Sequence, residues 1–231
     1  MQLIEHIDAA RLAEGLAFVI GQAIDQALLE RDRAVLALAG GKTPLPAYRK
    51  LAEQRRDWSK VTVLPTDERW VDAGHPLRND DEIADAMQAA NGLNLCRLVP
   101  AKAEYPPLAA LASQHLAELN YPFDLVLLGM GGDAHTASLF PGAEGLAAAM
   151  DLRAEDDAFV VTPDPLPPEA PHPRITVGRR RLLNARQHII AITGAVKREV
   201  LFDANSRQQP ERQPISAFLV NGLNLAIHWS P

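Results

Sequence analysis

Cysteine is nearly absent from this 231-residue chain. The single Cys96 excludes an internal disulfide framework and any multi-cysteine metal site. Excess positive charge is missing too. Twenty-three Lys and Arg against 29 Asp and Glu leave a net charge of −6, which argues against nucleic acid as a partner and still permits a small basic pocket for an anion. No apolar run stands out as long enough to cross a bilayer, and the N-terminus lacks a basic region followed by an apolar core and a cleavage site. The expectation is a cytoplasmic protein without a membrane partner. Six histidines (His6, His75, His115, His172, His188 and His228) are scattered without ligand spacing, so no metal site is expected.

What remains is ordinary globular composition, 47% hydrophobic and 23% charged. The length suits one α/β domain over residues 1–231. Leu12, Leu16, Val19, Ile20, Ala23 and Ala27 lie on one face of a helix over 9–30, with Asp8 as its N-cap. Short apolar runs predict strands at 34–39, 61–64, 123–128, 158–162, 187–192 and 223–229. Helices are predicted from Pro44, over 80–91 with Gly92 at C′, and over 106–119, 195–204 and 215–220. The proline-rich stretch 163–173 reads as a surface loop. This alternation predicts a Rossmann-like layered α/β fold, with a mostly parallel central sheet flanked by helices and the 123–128 strand at its centre.

Four loops that follow strands carry the chemistry. The first, Gly40-Gly41-Lys42-Thr43-Pro44, is a glycine turn opening a helix, where free N–H groups attract anions. It is not an NTPase P-loop, because that pattern needs glycine where Leu36 stands. The second, Thr66-Asp67-Glu68-Arg69, continues to Arg78-Asn79-Asp80. The third, Gly129-Met130-Gly131-Gly132-Asp133-Ala134-His135, places an acid and an imidazole at a strand's carboxyl end, where open α/β sheets bind ligands. Gly129, Gly131 and Ala134 fit a dinucleotide fingerprint, but Pro141-Gly142 interrupts the helix that fingerprint requires. The fourth comprises Arg174-Ile175-Thr176-Val177 and Thr193-Gly194-Ala195-Val196-Lys197. The intervening Arg179-Arg180-Arg181 reads as a solvated face of which only one member need reach the site, with Arg179 left open as a phosphate contact.

Residues 129–142, GMGGDAHTASLFPG, resemble the GxGxDGHTASLFP signature of the 6-phosphogluconolactonases, sugar-phosphate lactone hydrolases of the pentose phosphate pathway related to glucosamine-6-phosphate deaminases. Gly40–Pro44 resembles that family's SGGSTP, with Lys42 for serine. Residues 67–71 and 78–79 resemble its DERxV…SN pair, with Arg78 for serine. Arg174 matches its PxRIT stretch, and 193–197 its TGxxK. The resemblance covers residues 39–197, in the family's order. It implies hydrolysis of 6-phospho-D-glucono-1,5-lactone without cofactor or metal. In that reading His135 is general base and Asp133 orients it, while Arg69 or loop N–H groups meet the oxyanion. Gly40, Gly41, Lys42, Thr43, Asp67, Arg78, Asn79, Arg174 and Lys197 hold sugar and phosphate. Monomer and homodimer both remain open. Two alternatives stand beside it: a deaminase-like enzyme, and a non-catalytic sugar-phosphate-binding regulator. The deaminase motif continues as IAFNEP, where this chain has Thr136-Ala137-Ser138-Leu139-Phe140-Pro141 and no acid. Ala134 replaces the family's glycine, and a positive φ there would strain it.

Overall fold

The computed structural model describes residues 2–119 and 121–231. In chain order the elements are β1 (Gln2–Glu5), α1 (Ala9–Arg31), β2 (Ala34–Leu38), α2 (Leu45–Ala52), β3 (Val61–Pro65), β4 (Asp67–Arg69), α3 (Asn79–Ala86), β5 (Asn94–Leu95), α4 (Ala110–Glu118) and β6 (Leu125–Leu128). The second half adds α5 (Leu146–Met150), β7 (Ala158–Val161), β8 (Arg174–Val177), α6 (Arg179–Leu183), β9 (His188–Thr193), α7 (Ala195–Arg207) and β10 (Leu225–Ser230). Short 3-10 turns cover Trp58–Lys60 and Pro214–Phe218.

Seven strands form one parallel sheet in the order β1-β10-β9-β6-β2-β3-β5, with β6 at its centre as expected. Successive residues of a strand point to opposite faces. Leu36, Leu38, Leu125 and Leu127 therefore pack on one side with α1, α2 and α3, while Val35, Ala37, Val126 and Leu128 pack on the other. Burial on both faces explains why these strands read as continuous apolar runs.

The Asp8 carboxylate accepts from Arg11 N at 2.8 Å and caps α1. By length and composition α1 is apolar enough to cross a membrane, contrary to the sequence expectation. Here its face of Leu12, Leu16, Ile20 and Ile24 is fully buried against the sheet, each side chain contributing roughly 1.5–3 kcal/mol. Two helices are shorter than expected. Helix α3 ends at Ala86, where i−3 bonds such as Ala90 N to Met87 O replace helical ones, so Gly92 (φ +92°) is a turn residue and not a helix C′. Helix α4 starts only at Ala110, beyond Pro106 and Pro107.

A second sheet was not anticipated: three antiparallel strands in the order β4-β8-β7, pairing Arg69 with Arg174 and Phe159 with Thr176. The arginine run is a solvated face only in part: Arg180 is exposed and Arg179 half-buried. Arg181 is buried over the Phe123 ring at 3.8 Å and donates to Leu119 O and Tyr121 O.

At the sheet edge, His6 Nε2 lies 3.0 Å from His228 Nδ1 on β10, with the rings stacked. Burial, and secondarily the charge of His6, push the His228 pKa down to about 4. The native state then holds fewer protons than the unfolded chain between that value and the ordinary 6.5. Stability should fall as pH drops through this window, by about 2–3 kcal/mol from this group. Urea unfolding at pH 7 and pH 4.5 should show a smaller acid loss in His228→Asn than in the wild type; equal losses would contradict it.

Candidate active site

The carboxyl ends of β2, β3, β6 and β9 open into a cleft of about 230 Å³. Its walls include Gly40, Gly41, Lys42 and Thr43 after β2, and Thr66, Asp67 and Arg69 after β3. His135, Thr136, Ser138 and Phe140 follow β6, Lys197 follows β9, and Arg174 and Asn79 complete the walls. The four loops singled out in the sequence thus meet in one place.

The β6 loop is a tight device for presenting an imidazole. Gly131 N donates to His135 O at 2.9 Å, and the Thr136 hydroxyl to Gly129 O at 2.8 Å. A Cβ at Gly131 would collide with the His135 ring and the Asp133 carboxylate, so glycine is required there. Ala134 has φ +66° and is buried, the left-handed conformation in which alanine is strained by roughly 1–2 kcal/mol. Ile215 N donates to Ala134 O at 3.0 Å and helps hold it so.

His135 Nδ1 lies 2.5 Å from Asp133 Oδ1, and the same oxygen accepts from His135 N at 3.2 Å. Burial pushes the Asp133 pKa up, but the hydrogen bond and charge of His135 outweigh it and leave this carboxyl below its ordinary value. With an Nδ1–H donated to a carboxylate, the Nε2 lone pair is free to accept a proton. The Phe140 ring stacks on the imidazole, centroids 4.1 Å apart, and fixes its plane.

On the anion side, the Tyr48 hydroxyl of α2 donates to Ala39 O at 2.8 Å and anchors the glycine turn. Lys42 is exposed at the rim; Lys197 is half-buried on the first turn of α7, behind Gly194 (φ +89°). Arg174 is buried, and desolvation lowers its pKa to about 10, so it stays charged at neutral pH. Ser138 Oγ donates to Asp67 Oδ2 at 2.5 Å. Sequence reasoning missed Ser138 and Thr136 as wall residues; their place in the signature after His135 was the available signal.

Arg78 corrects an expectation. It is fully buried and absent from the cleft walls. Its guanidinium donates twice to Asp80, at 3.0 and 2.6 Å, and to the carbonyls of Val71, Val99 and Pro100. With those partners it ties loops together and has no donor to offer a substrate. Asn79 does line the cleft; its Oδ1 accepts from Arg69 Nη1 and its Nδ2 donates to Asp67 O. Arg179, left open in the sequence, lies outside the cleft. Among the described residues no group of three or more His, Cys, Asp or Glu is arranged to hold a metal ion.

A central parallel sheet with a histidine–carboxylate pair and cationic loops at its carboxyl edge defines an α/β fold with an acid–base group beside loops that attract an anion, and the comparisons narrow it. The sequence pattern of the glucosamine-6-phosphate isomerases/6-phosphogluconolactonase family matches residues 7–229, and the chain belongs to that family. It is 38% identical to a 6-phosphogluconolactonase of Pseudomonas aeruginosa over 226 residues, 96% of this chain and 92% of that relative. It is 36% identical to one of Rhizobium meliloti over 235 residues, covering 100% and 98%. A crystal structure of a 6-phosphogluconolactonase from Shewanella baltica superposes with a TM-score of 0.92 at 29% identity, over 100% of this chain and 98% of that one.

Proposed function

We propose that this protein hydrolyses 6-phospho-D-glucono-1,5-lactone to 6-phosphogluconate. The observation that carries the reading is the His135 imidazole, which lines a cleft that also gathers Lys197 and the Gly41 turn and is held from behind by Asp133, outside the lining, at 2.5 Å. A lactone is an activated ester, so water needs only a positioned base. His135 Nε2 takes a proton from water as its oxygen bonds to C1. The tetrahedral intermediate then collapses, the C1–ring oxygen bond breaks, and the imidazolium returns the proton to the leaving oxygen. Asp133 orients the ring and balances the imidazolium. Gly40, Gly41, Thr43 and Lys197 receive the phosphate, with Lys42 at the rim; Asp67, Arg69 and Asn79 face the sugar.

Phe140 speaks against deamination of glucosamine 6-phosphate. That chemistry needs a proton moved between C1 and C2 and a further acid–base group, and at the corresponding position a phenyl ring lies flat on His135. The deciding assay follows loss of freshly generated lactone against its spontaneous hydrolysis, with ammonia release from glucosamine 6-phosphate measured on the same preparation. Lactone loss without ammonia is expected; ammonia without lactonase activity would overturn the reading.

Lys197→Ala should lower kcat/KM by about one to two decades, since a charge-assisted hydrogen bond to phosphate contributes ~1.5–3 kcal/mol. Unphosphorylated gluconolactone should be hardly affected; an equal loss on both substrates would refute the phosphate contact.

A further inference from the structure

We infer that Arg174 acts at the lactone carbonyl, donating to the oxyanion that forms there, and is not a phosphate ligand. The inference rests on the lactonase reading and supplies the electrophilic half that His135 leaves unfilled.

Arg174 is only 3% exposed, yet its Nη1 is buried without any hydrogen-bond partner while the residue lines the cleft. Its Nη2 donates to Ala170 O at 2.9 Å, which helps to hold the guanidinium and leaves Nη1 as its buried, unpaired nitrogen. A buried N–H without a partner is disfavoured, and a charged one more so. Such a donor lining a reaction cleft is preorganised for negative charge that arrives during the reaction.

Its position favours the carbonyl end of the substrate. Arg174 comes from β8 of the three-stranded sheet, opposite Arg69 on β4. The glycine turn and Lys197 come instead from the ends of β2 and β9 in the seven-stranded sheet. The guanidinium carbon lies 6.0 Å from the centroid of the Phe140 ring, and that ring stacks on His135. Base and cation are thus linked through a single phenyl ring. Arg69, the other candidate for the oxyanion, uses Nη1 on Leu77 O and Asn79 Oδ1.

In the step this implies, water loses its proton to His135 as the new C1–O bond forms, and the carbonyl π pair moves onto oxygen. Arg174 Nη1–H donates to that oxygen without giving up its proton. Collapse restores the carbonyl and releases the ring oxygen, which takes the proton back from His135.

The test compares Arg174→Ala and Arg174→Lys with the wild type, thermal melts establishing that each is folded. Should the alanine variant fail to fold, the lysine variant carries the comparison. On the phosphorylated lactone kcat should fall about 10²–10³-fold, the usual effect of removing one oxyanion donor. KM should change less than about threefold, because the interaction belongs to the transition state. The loss in kcat/KM should be equal on unphosphorylated gluconolactone, and added guanidinium ion should restore part of the rate of Arg174→Ala. A loss confined to KM and to the phosphorylated substrate would return Arg174 to the phosphate and overturn the inference. So would a kcat within about threefold of wild type. Failure of the parent reading looks different: the wild type would not hydrolyse the lactone, or His135→Ala would keep its rate.

Discussion

His135→Ala is expected to lower kcat by ~10²–10⁴-fold, the usual contribution of a positioned general base. The side chain is 30% exposed, and its polar partner is the neighbouring Asp133 carboxylate, so the melting temperature should hardly move. The loops proposed to hold phosphate are untouched, and affinity for 6-phosphogluconate should survive. Asp133→Asn should also lose kcat, because the amide cannot balance an imidazolium and the ring loses its fixed orientation. Calorimetric titration of the product, beside turnover of fresh lactone, separates binding from chemistry. A His135→Ala enzyme turning over near the wild-type rate would remove the imidazole from the mechanism.

Glu68→Ala should be the most destabilising single change near the cleft, by roughly 3–5 kcal/mol, the cost of breaking up a buried ionic cluster. Glu68 is fully buried and accepts three backbone N–H groups, from Arg69, Asn79 and Asp80, each at 2.8 Å. Its Oε2 also lies 3.8 Å from Arg78 Nε. Burial and the charge of Asp80 raise the Glu68 pKa, and the three N–H donors oppose that rise. Alanine would strand all three donors and leave Asp80 as the carboxylate paired with Arg78. Glu68→Gln retains one acceptor oxygen and should lose less. Urea unfolding of the three proteins tests the ranking; an alanine variant within about 1 kcal/mol of wild type would show that water replaces the carboxylate.

Local patterns exposed much of this architecture before any coordinates. The Asp8 cap, the buried face of α1, the strands at β2, β3, β6 and β9 and the glycine turns all announce themselves within a few residues. Elements that depend on distant partners did not. β4 is only Asp-Glu-Arg, a charged triplet with no period to read, and it is a strand because β8 pairs with it across more than a hundred residues. Arg78 read as a substrate contact because it stands where the DERxV…SN pair has its serine. The carbonyls that bury it come from residues 71, 99 and 100. The motifs supply most of the cleft walls, without Arg78 and Asp133, and which donors were already spent is a property of packing.

The edge strand β1 pairs with β10, Gln2 opposite Ala226 and Glu5 opposite Trp229. During synthesis this first strand emerges with its partner still unmade. At roughly 5–20 residues per second the ribosome needs tens of seconds to deliver β10. Until then β9 also lacks its neighbour on that side, since β10 inserts between β1 and β9. The half of the sheet from β6 to β5 can assemble while the chain is still growing. The other half closes only at the end, leaving an apolar ledge that a nascent-chain chaperone would have time to cover.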